Sequence, residues 1–215
     1  MSNTMPSTQP HSSPATSAGI SGAILLAGWL LAILILGSNR AFVGAPGSPP
    51  IGLLIGFVTP IAAFLIALRA STAFRAFVLN FDPRVLVAMQ AWRSGGFAFI
   101  ALYVHGVLPG YFAWPAGLGD MAIGFTAPWI LTGLMQSRAF ASSRTIIAWN
   151  LLGLLDLAVA MTTGALGSFL IAGDAGTVTT APMADLPLVL IPVYLVPLFI
   201  MMHVAALAQA RARTA

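Results

Sequence analysis

Apolar and polar positions fall along this chain in blocks. Six apolar runs, each about the length a bilayer-crossing helix needs, are separated by short breaks rich in Gly, Pro or Arg. The runs cover about 20–37, 51–68, 84–107, 117–135, 145–166 and 186–207. This pattern predicts an all-α integral membrane bundle of six transmembrane helices over residues 20–208. Residues 1–19 carry Ser, Thr and Pro without apolar periodicity and read as a disordered tail, and 209–215 as a short cytoplasmic one. The first run has no basic stretch before it and exceeds the roughly 7–15 apolar residues of a signal-peptide core, so it reads as a retained helix.

The breaks carry their own signals. Arg40 and the Gly/Pro-rich stretch 44–50 make a turn, and Leu108-Pro109-Gly110 ends the third span. Asp82 suits the cap of that span and Pro83 its first turn. Between spans two and three, Phe74, Phe77, Val78 and Phe81 recur at i, i+3, i+4 and i+7, one apolar face of a short helix. With Arg69, Arg75 and Arg84 beside it, this segment suits the interface with anionic lipid. Periodicity alone fits an extension of a neighbouring span equally well.

Composition sets the solvent. With 59% hydrophobic and 7% charged residues and a mean hydropathy of +0.95, the chain has no polar stretch long enough for a separate soluble domain. It contains no Cys, Lys or Glu, which excludes disulfides, thiolate metal sites, a cysteine nucleophile and any lysine imine. The net charge of +4 comes from arginines at span ends, which set orientation and imply no nucleic-acid partner. Arg69, Arg75 and Arg84 follow span two, Arg138 and Arg144 follow span four, and Arg211 and Arg213 close the chain. The connections after spans three and five hold none. That alternation predicts an inner-membrane protein with both termini in the cytoplasm, Arg40 being its one exception.

Charges inside apolar runs are costly and mark the candidate sites. Helical rise puts Arg93 ~14 Å from the inner end of span three and Asp156 ~16 Å from the inner end of span five, matching depths that predict an ion pair. Gln90, at i−3 from Arg93, is placed to complete its hydrogen bonds. Asn150 and His203 form an inner polar tier, and His105 and Asp120, one short loop apart, an outer one. Gly153, Asp156, Ala160 and Gly164 share a narrow helical arc that favours close packing and a structural role for the pair. The alternative is a gate or binding pair.

Gly117-Leu118-Gly119-Asp120 matches the Gly-x-Gly-Asp tetrapeptide of intramembrane aspartyl proteases, with Asp156 as the candidate second carboxylate. Such chemistry needs two carboxylates sharing a proton, and here their expected depths differ and the chain order is reversed. His105 and His203, expected at opposite faces, cannot serve one haem iron, and His105 with Asp120 is too small a set for a metal. No cofactor and no catalytic residue is expected. Pro128, Pro187, Pro192 and Pro197 interrupt helix hydrogen bonding; the favoured reading is that proline is simply common in membrane helices, the alternative that carbonyls freed beside Tyr194 line a small cavity.

Five stretches together resemble a family of small bacterial inner-membrane proteins without an assigned activity: Gln90-Ala91-Trp92-Arg93, Leu108-Pro109-Gly110, Pro115-Ala116-Gly117-Leu118-Gly119-Asp120, Gly153-Leu154-Leu155-Asp156, and Leu190-Ile191-Pro192 through Pro197 to His203. The resemblance spans roughly 82–209 and implies the membrane topology, without chemistry. The expected role is non-enzymatic, exercised through membrane lipids, a second copy or another membrane protein. The alternative is a small transporter or channel subunit with a path lined by Arg93 and Asp156, and an intramembrane enzyme comes third.

Overall fold

The computed structural model describes residues 14–45, 48–170 and 176–213, with backbone alone at 14–18 and 168–170. The described residues are all-helical, and six of the helical stretches are long and apolar enough to cross a membrane. The first span lies in α1 (Pro14–Ser38) and the second is α2 (Ile51–Ala70). Of the expected N-terminal tail, 1–13 lie outside the described residues, whereas 14–19 already belong to α1.

A separate short helix, α3 (Thr72–Asn80), follows α2. It does not extend a neighbouring span: Ser71 ends α2 in an extended conformation, and its hydroxyl accepts from the Phe74 amide to cap α3. Its far end is held from a distant element, since the buried Gln209 amide donates to the Val78 and Phe81 carbonyls, both at 2.8 Å. Val78 packs with Leu86, Ala205 and Ala206 in one of several small cores.

Span three is a helix in three pieces. Asp82 accepts from the Arg84 amide at 2.8 Å and Pro83 opens α4 (Pro83–Gln90). A 3-10 segment, Ala91–Gly96, follows, and α5 (Phe97–Val104) completes the span. The fourth span is α6 (Gly110–Gln136) and the fifth α7 (Arg144–Leu170). The sixth passes from a π-helical turn, Ile191–Leu195, into α8 (Val196–Ala212).

The third span ends at Val104 rather than 107 and the sixth begins at Ile191 rather than 186, and two further boundaries differ in a way that moves polar residues inward. Helix α6 begins at Gly110 rather than near 117 and runs straight through Pro115. Losing one hydrogen bond at a proline costs less in an apolar medium than leaving a further turn of backbone unpaired. Helix α8 runs to Ala212, so 209–212, expected as tail, are helical, with Gln209 and Ala210 buried.

The spans are unequally embedded. In α1 and α2 only 6% of the apolar window is buried within the chain, against 44% in the sixth span. Helix α1 is tied on by Tyr194, whose hydroxyl donates to the Leu26 carbonyl at 3.2 Å and whose ring packs, tilted by 49°, against Trp29 at 4.5 Å between centroids. Tyr194 is thus a tether for α1. The centre belongs to α6, which packs along the 3-10 segment, α4, α5 and α7. The closest crossing is α6 with the 3-10 segment: a Cβ on Gly96 would come 2.8 Å from the Gly117 carbonyl, and one on Gly117 2.9 Å from the Gly96 carbonyl.

Candidate functional site

The 3-10 segment delivers Arg93 to the middle of the bundle, where it is 2% exposed. A Cβ on Gly124 would run into the Ser94 amide and lie 2.7 Å from the Arg93 carbonyl carbon, so glycine lets this segment lie directly on α6. From there the guanidinium reaches three helices at once. Its Nε donates to Asp120 Oδ1 of α6 at 2.7 Å, and Nη2 donates to Asp156 Oδ2 of α7. Its Nη1 lies 3.0 Å from His203 Nε2 of α8. The Phe199 ring lies 5.8 Å from the guanidinium carbon, within cation–π range.

A guanidinium only donates, so His203 Nε2 is the acceptor and the ring proton sits on Nδ1. That proton points to Asn150 Oδ1, 2.8 Å away, and the Asn150 amide in turn donates to the Ile146 carbonyl of its own helix at 2.8 Å. The imidazole is 0% exposed and meets Trp149 edge to face at 5.6 Å. Five side chains from four spans therefore make one connected network, in the order Asn150, His203, Arg93, then both aspartates. Glycines again provide the room: a Cβ on Gly119 would collide with the Asp156 carboxylate, and one on Gly153 with the His203 ring.

The three expected tiers thus merge. Arg93 and Asp156 are together, as are Asn150 and His203, but Asp120 does not pair with His105 at a surface. Asp120 is ten residues into α6, ~15 Å from its start, and is bound to Arg93, while His105 is exposed at the end of α5. His203 is nine residues from the end of α8, ~14 Å, which brings it level with Arg93, ten residues into its own span. The amide of Gln90 donates to the Phe199 carbonyl at 3.4 Å rather than to the ion pair, and its buried oxygen has no hydrogen-bond partner. The depth argument against a carboxylate dyad also falls, since both aspartates are on one arginine; what stands between them is a guanidinium, not the shared proton of that chemistry. Among the described residues no three His, Asp or Glu side chains are grouped to hold a metal ion.

The network is not sealed. A cavity of about 500 Å³ enters the bundle from the end where the 39–50 and 176–190 connections lie and reaches Asp120. Its walls are Phe99 and Phe112, packed edge to face at 5.5 Å, with Leu157, Ala160, Met161 and Gly164 of α7 and Ile191, Pro192 and Val196 of the sixth span. Ala160 and Gly164, read from the sequence as a helix-packing face, line this space instead. At the mouth Arg40 Nε and Asp185 Oδ1 pair at 3.3 Å, joining the two connections, and Thr180 donates to the Gly164 carbonyl at 2.6 Å. The carboxylates of Asp120 and Asp156 keep 19% and 12% of their side-chain surface exposed, against 0% for Arg93.

Neither the cavity nor the merging of tiers was read from the sequence. Gly117 and Gly124, seven residues apart and hence on one face of α6, were the available sign that the 3-10 segment crosses there. Matched against known families, residues 50–211 fit a domain of unknown function, DUF8737, a stretch that includes the whole polar network but not α1. No curated protein and no solved structure matches the chain.

Proposed function

The chain belongs to the DUF8737 family, whose description gives no function, and from the site itself we propose a non-enzymatic membrane protein that binds a small solute and hands it across the bilayer. The observation that carries this is the cavity that leads from one end of the bundle to a carboxylate shared with a buried arginine. A structural pin needs no access, and a charged group in a membrane interior reached by an open path is the arrangement of a solute or ion route. A pocket of this volume, mostly apolar with a few polar groups at its two ends, has the proportions of a small-molecule site.

The protein sits in a bacterial inner membrane with both termini cytoplasmic, following the arginine bias of its connections. The vestibule then opens to the periplasm, and Arg40, which breaks that bias, has its charge matched there by Asp185. Solute arriving at Asp120 meets Arg93 as a competitor for the same oxygens. Loosening that contact frees the guanidinium toward Asp156 and His203, which lie on the helices lining the rest of the path. The 3-10 segment under Arg93 and the π turn at 191–195 are the places where hydrogen bonding in the two spans is already irregular and easiest to shift. The outer faces of α1 and α2, scarcely buried, favour a second role in contact with lipid or another membrane protein, and α3 with Arg69 and Arg75 lies against anionic headgroups.

Because the chain has no cysteine, accessibility tests this directly. In intact cells, Ala160→Cys should react with a membrane-impermeant thiol reagent, whereas Ala139→Cys, at the opposite end, should react only after permeabilisation. An unreactive Ala160→Cys beside a reactive Ala139→Cys would overturn both the orientation and the vestibule.

A further inference from the structure

We infer that the vestibule takes a small organic cation: an amine with one positive charge and an apolar, preferably aromatic, body. This rests on the reading of the cavity as a solute site and names its ligand class. Among the described residues the charges that face the cavity or touch its floor are Arg40 and Asp185 at the mouth and Arg93, Asp120 and Asp156 at the base. The mouth pair cancels. With both carboxylates ionised the base holds one cation and two anions, and His203, accepting from Arg93, adds no charge. The described site is therefore one positive charge short of balance, and the carboxylate that borders the cavity, Asp120, is where the missing charge would dock.

The walls decide what carries that charge. A bare alkali or alkaline-earth ion needs a cage of about six oxygens, and the deep wall offers Phe99, Phe112, Leu157, Met161, Ile191 and Val196 instead. An anion would face two carboxylates with the one nearby guanidinium already engaged by them. A neutral solute would leave the charge uncompensated in a low-dielectric setting. A cationic head at Asp120 with an apolar body against the Phe99–Phe112 pair satisfies both ends.

Three probes of like shape separate the possibilities: benzylamine, benzyl alcohol and benzoate, titrated calorimetrically into the full chain in mild detergent. Ala160→Phe, which fills the vestibule without altering a charge, serves as the blank. Benzylamine should bind roughly tenfold or more tighter than benzyl alcohol, the scale of one close charge contact at intermediate dielectric, and benzoate should not bind above the blank. Asp120→Asn should bring benzylamine down to the level of the alcohol. The wild-type rank order decides the matter even where that variant fails to fold. Equal binding of alcohol and amine, abolished by Ala160→Phe, would overturn the cation class while leaving the vestibule as a solute site. No binding by any probe above the blank would overturn both.

Discussion

Among the described residues two arginine–aspartate sites lie at the two ends of one cavity, and they differ in almost everything but chemistry. At the mouth, Arg40 and Asp185 are 70% and 44% exposed and join two connections at 3.3 Å. At the floor, Arg93 is fully enclosed and binds two aspartates and a histidine from three other helices. Water already solvates the mouth charges, so their attraction is weak and their separation cheap. The floor charges have little else to solvate them, so each is held by the others and none can be lost alone. Identical residue types thus make a latch in one place and a keystone in the other.

Removing the keystone is the largest expected effect. Arg93→Ala leaves two aspartates facing each other and should cost on the order of 3–5 kcal/mol, read as a fall in folded yield and melting temperature in detergent. Replacing all three charges together, with Arg93→Met, Asp120→Asn and Asp156→Asn, should cost less than Arg93→Ala alone, because no charge is then stranded. A simple exchange of Arg93 with Asp156 should recover little, because Asp120 would then face a second carboxylate at 93, and the longer side chain at 156 would press on Gly119. An Arg93→Ala variant as stable as the parent would remove the distinction between the two sites.

The surroundings of the two sites differ in the same sense, and glycines report it. Gly119→Ala and Gly153→Ala each drive a methyl group into a member of the floor network, Asp156 or His203. Each should destabilise by about 1–3 kcal/mol, the usual cost of overpacking. Gly28→Ala on α1, where nothing lies within 4 Å, should be neutral or gain up to ~1 kcal/mol from helix propensity alone. If all three behave alike, the floor is looser than its geometry implies.

Much of this was legible in the sequence, and what was missed has two causes. The six apolar blocks and the costly charges within them follow from composition and run length, as does the cap at Asp82. Depth was misjudged for Asp120 and His203 because the ends of their helices were misplaced by about a turn or two. Pro115 read as loop, yet a bilayer penalises unpaired backbone enough to carry α6 through it. The polar end of α8 read as tail, yet Gln209 has a buried partner in α3 that no local pattern announces. An error of one turn is ~5 Å, enough to split one network into three tiers. The cavity lies beyond local reading altogether, since it exists only where α5, α6, α7 and the sixth span fail to close on one another.

The mouth pair gives the smallest effect on stability. Arg40→Ala should change the melting temperature little, because an exposed pair of this kind contributes at most about 1 kcal/mol and loses part of that to salt. Its influence should appear in access instead. Among the described residues Arg40 and Asp185 are the one ion pair between the two connections that border the vestibule, so breaking it loosens the rim without touching the floor. An Arg40→Ala change in the Ala160→Cys background should therefore speed thiol labelling from outside while leaving unfolding unaltered. Raising the ionic strength should speed labelling in the parent, through screening at the rim, more than in the Arg40→Ala chain. If Arg40→Ala instead lowers stability as much as Gly119→Ala does, the mouth pair is part of the load on the fold and the two sites are not different in kind.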